Sequence, residues 1–570
     1  MPGMGHVSEA HRSAAGGDGS RGQDPARLLL AAGLVNEEVR RLLEPYGFAD
    51  PARADANIQV MAGEPRSRQA LAKIVGELLA SVALTADPDQ ALDHWEQLFR
   101  DGVNRIQLFD YLGGSPRMLH LLCTMFGNSP SLAQTLIRDP LLIYWLAEEQ
   151  VLTRQPSRAV LDRTLRASVS NVETVGLKLE SLRRFRRREM LRIGIRDLLR
   201  LASVQESTAA LSTLAAVLIQ AAYEIVAVEL RRQYGVPKHR DRSKRLVETG
   251  FAVMAMGKLG GGELNFSSDV DLIYVYASDE GETHPVHRPS AVSRQRSIPN
   301  EEYFEYLARD LTRALAEVTP EGYVFRVDLR LRAEGAVGRL ARPLVGYRQY
   351  YRARGQAWER LALLKAWPIA GDLSLGRAFL RMVKPFVLGP RRGRIETKEV
   401  AALIGEVKAV KEMIDEKMAG RGHENRNVKL GTGGIREIEF LVQAIQVLCG
   451  GRKAAILDRS TMGALARFRR HGILSAGAQA ALAKAYVFLR DVEHKLQMVH
   501  DLQTHALPES PEELTRCAIR LGYPSRDRRA AMKRFTEDYR RHTGFVRRTF
   551  QGLFDRPQRS SLLKAALRKG

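Results

Sequence analysis

Residues Phe251–Tyr276 read FAVMAMGKLGGGELNFSSDVDLIYVY. The apolar run Phe251 to Met256 has the length and content of a buried strand. The chain breaks at Gly257, Gly260, Gly261 and Gly262, then resumes as a second strand from Asp269 to Tyr276. Side chains alternate along a strand, so Asp269 and Asp271 share one face while Val270, Leu272 and Tyr274 take the other. Two carboxylates on one face of an otherwise buried strand are costly unless a positive charge lies between them, and the simplest is a divalent cation. The pair reads as a magnesium site. Gly260 and Gly261 allow close backbone approach and can present amides to a phosphate, and Lys258, Ser267 and Ser268 add donors. The competing reading is a hairpin turn whose aspartates are solvated at a strand end.

A third acid follows at Tyr323–Arg332, YVFRVDLRLR, where strict alternation puts Phe325, Val327, Leu329 and Leu331 on one face and Arg326, Asp328, Arg330 and Arg332 on the other. If this strand joins the same sheet, Asp328 completes a three-carboxylate cluster with Asp269 and Asp271, and the arginines supply charge for phosphates. Two metal ions held so can activate an attacking oxygen and stabilise the leaving one in an in-line displacement at phosphorus. An edge strand with a solvated basic face is the plainer alternative.

These residues resemble a known family. The Gly-Gly loop, the Asp-x-Asp pair and the third acid resemble the nucleotidyltransferase fold of DNA polymerase beta type, and GKLGGGELNFSSDVDLIY is similar to the bacterial glutamine synthetase adenylyltransferase and adenylyl-removing enzymes. The likeness continues in RVDLRLRAEG (Arg326–Gly335), KLGTGGIREIEFLVQ (Lys429–Gln443), FLRDVEHKLQ and DLQTHALP (Phe488–Pro508).

The resemblance implies a predominantly helical α+β protein: a nucleotidyltransferase domain with a small mixed sheet, flanked by helical domains. It also implies Asp269, Asp271 and Asp328 as catalytic and metal-binding, with Lys258, Gly260, Gly261, Ser267, Ser268, Arg330 and Arg332 on phosphate. Magnesium is the implied cofactor, in two sites; the implied substrates and products are ATP or ADP, an AMP ester and phosphate. Glutamine synthetase is the implied protein substrate and the PII signalling protein a partner. Family chains usually carry two such halves, yet no second GKLGG followed by Ser-Asp-x-Asp occurs here. ELNFSSDVDL is similar to the amino-terminal, adenylyl-removing half, so the expected reaction is phosphorolysis of tyrosyl-AMP to ADP. The reverse transfer from ATP and a non-catalytic regulatory module are the alternatives.

The 570 residues allow three or four domains, and 45% hydrophobic with 27% charged residues is an ordinary globular balance. No run of 18 apolar residues and no signal-peptide core is present, so the expectation is a cytoplasmic protein away from membranes. Cys123, Cys449 and Cys517 lack metal or disulfide spacing and read as buried thiols. The net charge of +23 is spread along the chain without a nucleic-acid-binding signature, and favours an acidic protein partner over nucleic acid. The basic run Arg183–Arg188 reads as a solvated helix face.

The pattern predicts a disordered tail over 1–24, a helical region over 25–165, a catalytic domain over 166–390, a helical bundle over 396–556 and a tail over 557–570. Tyr347, Tyr350, Tyr351, Trp358 and Trp367 either stack a base or build a helical core. Arg436, Glu439, Gln443 and Gln446 on one helix, with Arg490, Glu493 and Gln497 on another, form polar stripes that line a cleft or face solvent. The Gly-Gly turn before Ile435 aims that helix's N-terminus at an anion.

Overall fold

The computed structural model describes residues 24–100, 102–285, 296–389, 397–419, 426–555, 557 and 560–568. The tail expected over 1–24 lies outside these except for Asp24. The chain separates into two compact units, one up to Ala147 and one from Glu148, so the helix Arg158–Ser170 lies with the second unit.

The first unit is helical, and its prolines show why it breaks where it does. Pro51, Pro65, Pro88, Pro116 and Pro130 each occupy the first turn of a helix, where the missing N–H costs nothing. Asp50, Asp87 and Ser129 cap three of these helices by accepting from the amides of Arg53, Gln90 and Leu132. Met118, Leu121, Leu122 and Met125 are buried, as their helical spacing predicts, in a unit whose aromatic core is Trp95, Phe99, Phe109 and Phe126.

In the second unit, α1 (Arg158–Ser170) and α2 (Val175–Leu198) lead to α3 (Val204–Tyr234), which starts with a Ser203–Glu206 capping box. Among the described residues α3 is the one helix long and apolar enough to cross a membrane, and most of its apolar surface is buried within the protein. Strands β1 (Val236–Arg240), β2 (Leu246–Glu248) and β5 (Glu282–His284) make a small antiparallel sheet in the order β2-β1-β5. Thus the segment Ser278–Asn300, expected as an exposed loop, contributes an edge strand; its residues 286–295 lie outside the described ones.

The central sheet has five strands: β3 (Phe251–Ala255), β4 (Val270–Tyr276), β6 (Val327–Asp328), β7 (Ala341–Pro343) and β8 (Trp367–Gly371). β3 lies between β4 and β8, antiparallel to both. Parallel to β4 run β6 along its first half and β7 along its second. On one sheet face Phe251, Tyr274 and Tyr276 form an aromatic layer with Tyr223 of α3 and Phe304 of α4 (Asn300–Ala316). On the other, Ile273 and Val275 pack with Tyr347, Tyr350, Tyr351 and Phe379, the last on α5 (Leu373–Leu388). The three tyrosines are therefore core.

The remaining chain is a bundle of α6 (Thr397–Ala419), α7 (Ile435–Cys449), α8 (Thr461–Arg470), α9 (Ala476–His500), α10 (Pro511–Arg520) and α11 (Arg528–Phe554). Leu403 and Val407 of the expected apolar stripe on α6 are buried against Leu441, Ile445, Phe468 and Phe550; the side chains of Ile414 and Met418 lie outside the described ones. A last helix, α12 (Ser561–Arg568), adds Leu563 to that core, in a segment expected to be a tail. All three cysteines are buried and free.

Candidate functional site

The sheet puts two of the three acids side by side. Asp271 of β4 and Asp328 of β6 are register partners on neighbouring parallel strands. Burial, then the adjacent Asp328, push the Asp271 carboxyl up to about 6. Asp328 is held below the usual carboxylate range: burial acts upward, but the Arg330 side chain and amide donate to it, the amide at 2.8 Å and Nε at 2.9 Å to Oδ2. Asp269, just before β4, accepts from Arg326 Nε at 2.8 Å, and Arg326 also donates to Tyr323 Oη at 2.7 Å and to the Ser267 carbonyl. The three carboxylates are thus not drawn into one cluster: among the described residues no three acidic, histidine or cysteine groups converge on a metal position. The outer two each hold an arginine, while the Asp271 carboxylate has no hydrogen-bond partner among the described residues. In charge and donor type this set fits a divalent cation, because a carboxylate beside another carboxylate, held protonated to unusually high pH, is what a cation would relieve.

Gly257 explains how Asp271 is seated. Its φ is +53°, and a Cβ there would lie 2.2 Å from Asp271 Oδ2. The glycines after it form one helical turn, Gly257–Gly261, rather than an open loop. The Gly260 amide donates to the Met256 carbonyl at 2.8 Å, and a Cβ at Gly260 would meet the Lys365 carbonyl at 2.1 Å. Gly260 thus serves close packing, with its amide already engaged. Gly261 is buried beside Glu263 and the Arg459 carbonyl.

Lys258 is buried and donates to Glu493 Oε1 on α9 at 2.6 Å. Ser267 is buried, its amide donating to Gln497 and its hydroxyl accepting from Arg326 Nη2 at 3.1 Å. Ser268 is half-buried and its hydroxyl has no partner among the described residues. Arg330 is exposed on its Asp328 fork. Arg332 is buried and donates to the carbonyls of Leu329, Ala336 and Gly338, so it shapes the turn after β6. The strand expected over Tyr323–Arg332 is ordered as strand only at Val327–Asp328. The Val324 and Phe325 amides turn to the Leu315 carbonyl, and Arg332 folds inward.

What the alternation could not show is how the bundle grips the motif. Glu263 accepts from the Thr461 amide at 2.8 Å, Ser460 Oγ at 3.0 Å and Tyr486 Oη at 3.1 Å. Asn265 donates to Glu493 Oε2 at 2.6 Å and accepts from Arg490. Lys365 pairs with Glu439 at 2.7 Å and Glu263 at 3.4 Å. His505 Nδ1 lies 2.9 Å from Glu493. Burial acts upward on Glu493, but Lys258, His505 and Arg490 hold it well below the usual range. Glu439 of the α7 stripe and Arg490, Glu493 and Gln497 of the α9 stripe are therefore buried and face the sheet domain. The first amides of α7 are closed: Ile435, Arg436 and Glu437 donate to the carbonyls of Val428, Lys429 and Gly434.

The basic run on α2 is not a solvated face. Arg183 is 2% exposed and pairs with Glu180 and Glu317, Arg187 pairs with Glu321, and Arg186 lies over the Tyr323 ring and 3.8 Å from Asp501. Asp501 in turn accepts from Tyr323 Oη at 3.3 Å, so its role beside His500 is to tie the end of α9 to the Arg326–Asp269 pair.

Residues 119–382 match the family model described as glutamate-ammonia ligase adenylyltransferase, and residues 408–554 match one described as GlnD PII-uridylyltransferase. The chain is similar to proteins named bifunctional glutamine synthetase adenylyltransferase/adenylyl-removing enzyme. It is 38% identical to that of Nitrosococcus oceani over 443 residues, 77% of this chain and 43% of the relative. With that of Mesorhizobium japonicum it shares 37% identity over 74% of this chain and 41% of the relative. With that of Xanthomonas campestris it shares 41% over 60% and 34%. The chain spans about two fifths of the length of the curated relatives it matches.

Proposed function

We propose, from the match of residues 119–382 to the glutamate-ammonia ligase adenylyltransferase model, that this chain is a magnesium-dependent nucleotidyltransferase that removes AMP from adenylyl-tyrosine on glutamine synthetase. The observation that carries the reading is the register of Asp271 with Asp328, beside Asp269, on a sheet that a charged helical bundle closes.

In the proposed reaction an oxygen of hydrogen phosphate bonds to the α-phosphorus of the AMP ester and the bond from phosphorus to the tyrosyl oxygen breaks. The products are ADP and tyrosine, the phosphate proton ending on the tyrosyl oxygen. The residues that would hold magnesium are Asp269, Asp271 and Asp328; when bound it supplies charge stabilisation at phosphorus and at the departing oxygen. Gly257 keeps Asp271 pressed to the backbone, so the carboxylate is pre-oriented. Arg326 orients Asp269, and Arg330, exposed on Asp328, is free to swing to a phosphate oxygen. Tyrosinate is a fair leaving group, so charge stabilisation matters more than a dedicated acid.

The direction rests on the likeness of ELNFSSDVDL to the adenylyl-removing half. Transfer of AMP from ATP is the second reading, since the relatives' printed name includes both activities. The model named for PII-uridylyltransferase over the bundle supports the PII protein as a regulator, with the enzyme acting in the cytoplasm. The deciding assay incubates the chain with magnesium, phosphate and adenylylated glutamine synthetase, beside ATP and the unmodified enzyme. Phosphate-dependent ADP release is expected; AMP transfer alone reverses the direction, and neither reaction with or without PII overturns catalysis.

A further inference from the structure

The charges between sheet and bundle pair off almost completely. Lys258 takes Glu493, Lys365 takes Glu439 and Arg490 takes Glu493 and Asn265, while inside the bundle Lys411 and Arg547 share Glu437. Lys429 and Arg436 have no acid in ion-pair contact among the described residues. Both are partly buried. The Lys429 ammonium makes no hydrogen bond or ion pair there, and Arg436 rests on the Phe440 ring with its Nε buried and unsatisfied.

The two are held beside each other and beside the acids. The Arg436 amide donates to the Lys429 carbonyl at 3.0 Å, and Asn427 Oδ1 accepts from the amides of Lys429 and Leu430. The preceding strand-like segment is pinned to 505–507 by the Val428 amide on the His505 carbonyl and the Leu507 amide on the Arg426 carbonyl, both 2.8 Å. His505 touches Glu493, Glu493 takes Lys258, and Lys258 follows the glycine against which Asp271 rests. That chain of contacts links the segment carrying Lys429 and Arg436 to the residue that seats Asp271, and both cations act electrostatically on its carboxyl, drawing it downward. Burial of Lys429 outweighs the attraction of Glu493, Glu439 and Asp271, none of which pairs with its ammonium, and a bound dianion offering several oxygens to the two adjacent cations offsets that burial.

We propose that Lys429 and Arg436 form the seat of the attacking phosphate, a dianion subsite on the bundle side of the cleft facing Asp271. The inference rests on the phosphorolytic reading above and assigns its second substrate a place. The closed first turn of α7 leaves the two side chains, rather than backbone amides, to make the seat. In the product the same subsite holds the β-phosphate of ADP, because that phosphorus is the one that arrived as phosphate.

Calorimetric titration of the full chain with inorganic phosphate, ADP and adenosine tests this, using Lys429→Met, Arg436→Gln and the charge-keeping Lys429→Arg. Phosphate and ADP should each bind at least 10-fold more weakly to the first two, adenosine should be unchanged, and Lys429→Arg should recover most of the loss. Without ligand, Lys429→Met should melt no lower than wild type, since it removes an unpaired charge. Wild-type phosphate affinity in both neutral variants overturns the proposal, as does a loss confined to ADP, which would make the pair a nucleotide subsite. If wild type releases no ADP from the AMP ester yet phosphate binding needs both residues, the anion seat stands and the phosphorolytic reading falls. If wild type turns over and the variants keep its KM for phosphate, the seat falls and the reading stands.

Discussion

Lys258 Nζ donates to Glu493 Oε1 across 2.6 Å, joining the residue after the glycine that seats Asp271 to a fully buried carboxylate on α9. The same carboxylate takes Asn265 and faces His505, so one side chain ties the motif loop to two segments of the bundle. Removing one partner of such a pair strands the other charge. Glu493→Gln is expected to cost about 3–5 kcal/mol in urea unfolding. The Lys258→Met/Glu493→Gln double variant should lose less than the sum of the singles, by about 1–3 kcal/mol. Strict additivity would show that the two charges do not depend on each other.

Asp271→Asn should lower ADP release by at least about 1,000-fold while the protein stays folded, because the lost carboxylate is one without a hydrogen-bond partner among the described residues. The sign of its stability effect is opposite to that of a paired acid. The folded carboxyl titrates at about 6 against 3.8 when free, so its ionised form opposes folding. That opposition is absent below the free value and complete above the folded one. In chelator the variant should therefore be more stable than wild type above pH 6, by up to about 3 kcal/mol, and equal to it near pH 3.5. Magnesium should raise the wild-type melting temperature and leave the variant's unchanged; equal shifts in both would remove Asp271 from the metal site.

The alternation of VDLIYVY located β4 and the face of Asp271, because both neighbours in the sheet obey the same period. It overran at YVFRVDLRLR: Arg332 satisfies three carbonyls in a turn, a use of arginine that leaves no trace in a period-2 pattern. Glu263 and Asn265 sat inside the motif in plain view, yet their partners are Thr461, Tyr486, Arg490 and Glu493, about 200 residues away, and only the closed fold shows that they clamp the bundle. The polar stripes were visible as stripes; whether they met water or the sheet was not, since both uses carry the same helical spacing. Arg183–Arg188 fails as a solvated face for a similar reason, its acids lying on the 317–321 turn.

Gly257 and Gly262 both have positive φ, but only one abuts the acids. Alanine at either position carries backbone strain of about 1–3 kcal/mol. At Gly257 the new Cβ also falls 2.2 Å from Asp271 Oδ2, whereas at Gly262 the nearest atom, Arg459 Nη2, is 3.8 Å away. Gly257→Ala should thus lose at least about 10-fold in kcat beyond what its stability loss explains, and Gly262→Ala should lose stability with kcat near wild type. Matching kcat values in the two variants would mean that the seating of Asp271 is not what limits turnover.

His494 gives the fold an acid limit. The ring is fully buried, edge-on to Phe266, with both nitrogens unsatisfied among the described residues, and Asp197, whose Oδ2 lies 3.6 Å from Nε2, is taken by Lys495. Burial first, then the nearby Arg490, drive its pKa from 6.5 to about 3. The folded ring stays neutral while the unfolded one takes a proton below 6.5, so stability is intact at pH 7 and falls as pH drops from 6.5 toward 3. At pH 5 the expected loss is about 2 kcal/mol from this residue alone. His494→Phe removes the proton without emptying the site, so the gap between wild-type and variant unfolding free energies in urea should shift in the variant's favour by that amount between pH 7 and pH 5. A gap that stays constant with pH would mean that His494 is protonated in the folded protein, with Asp197 as its counter-charge in place of Lys495.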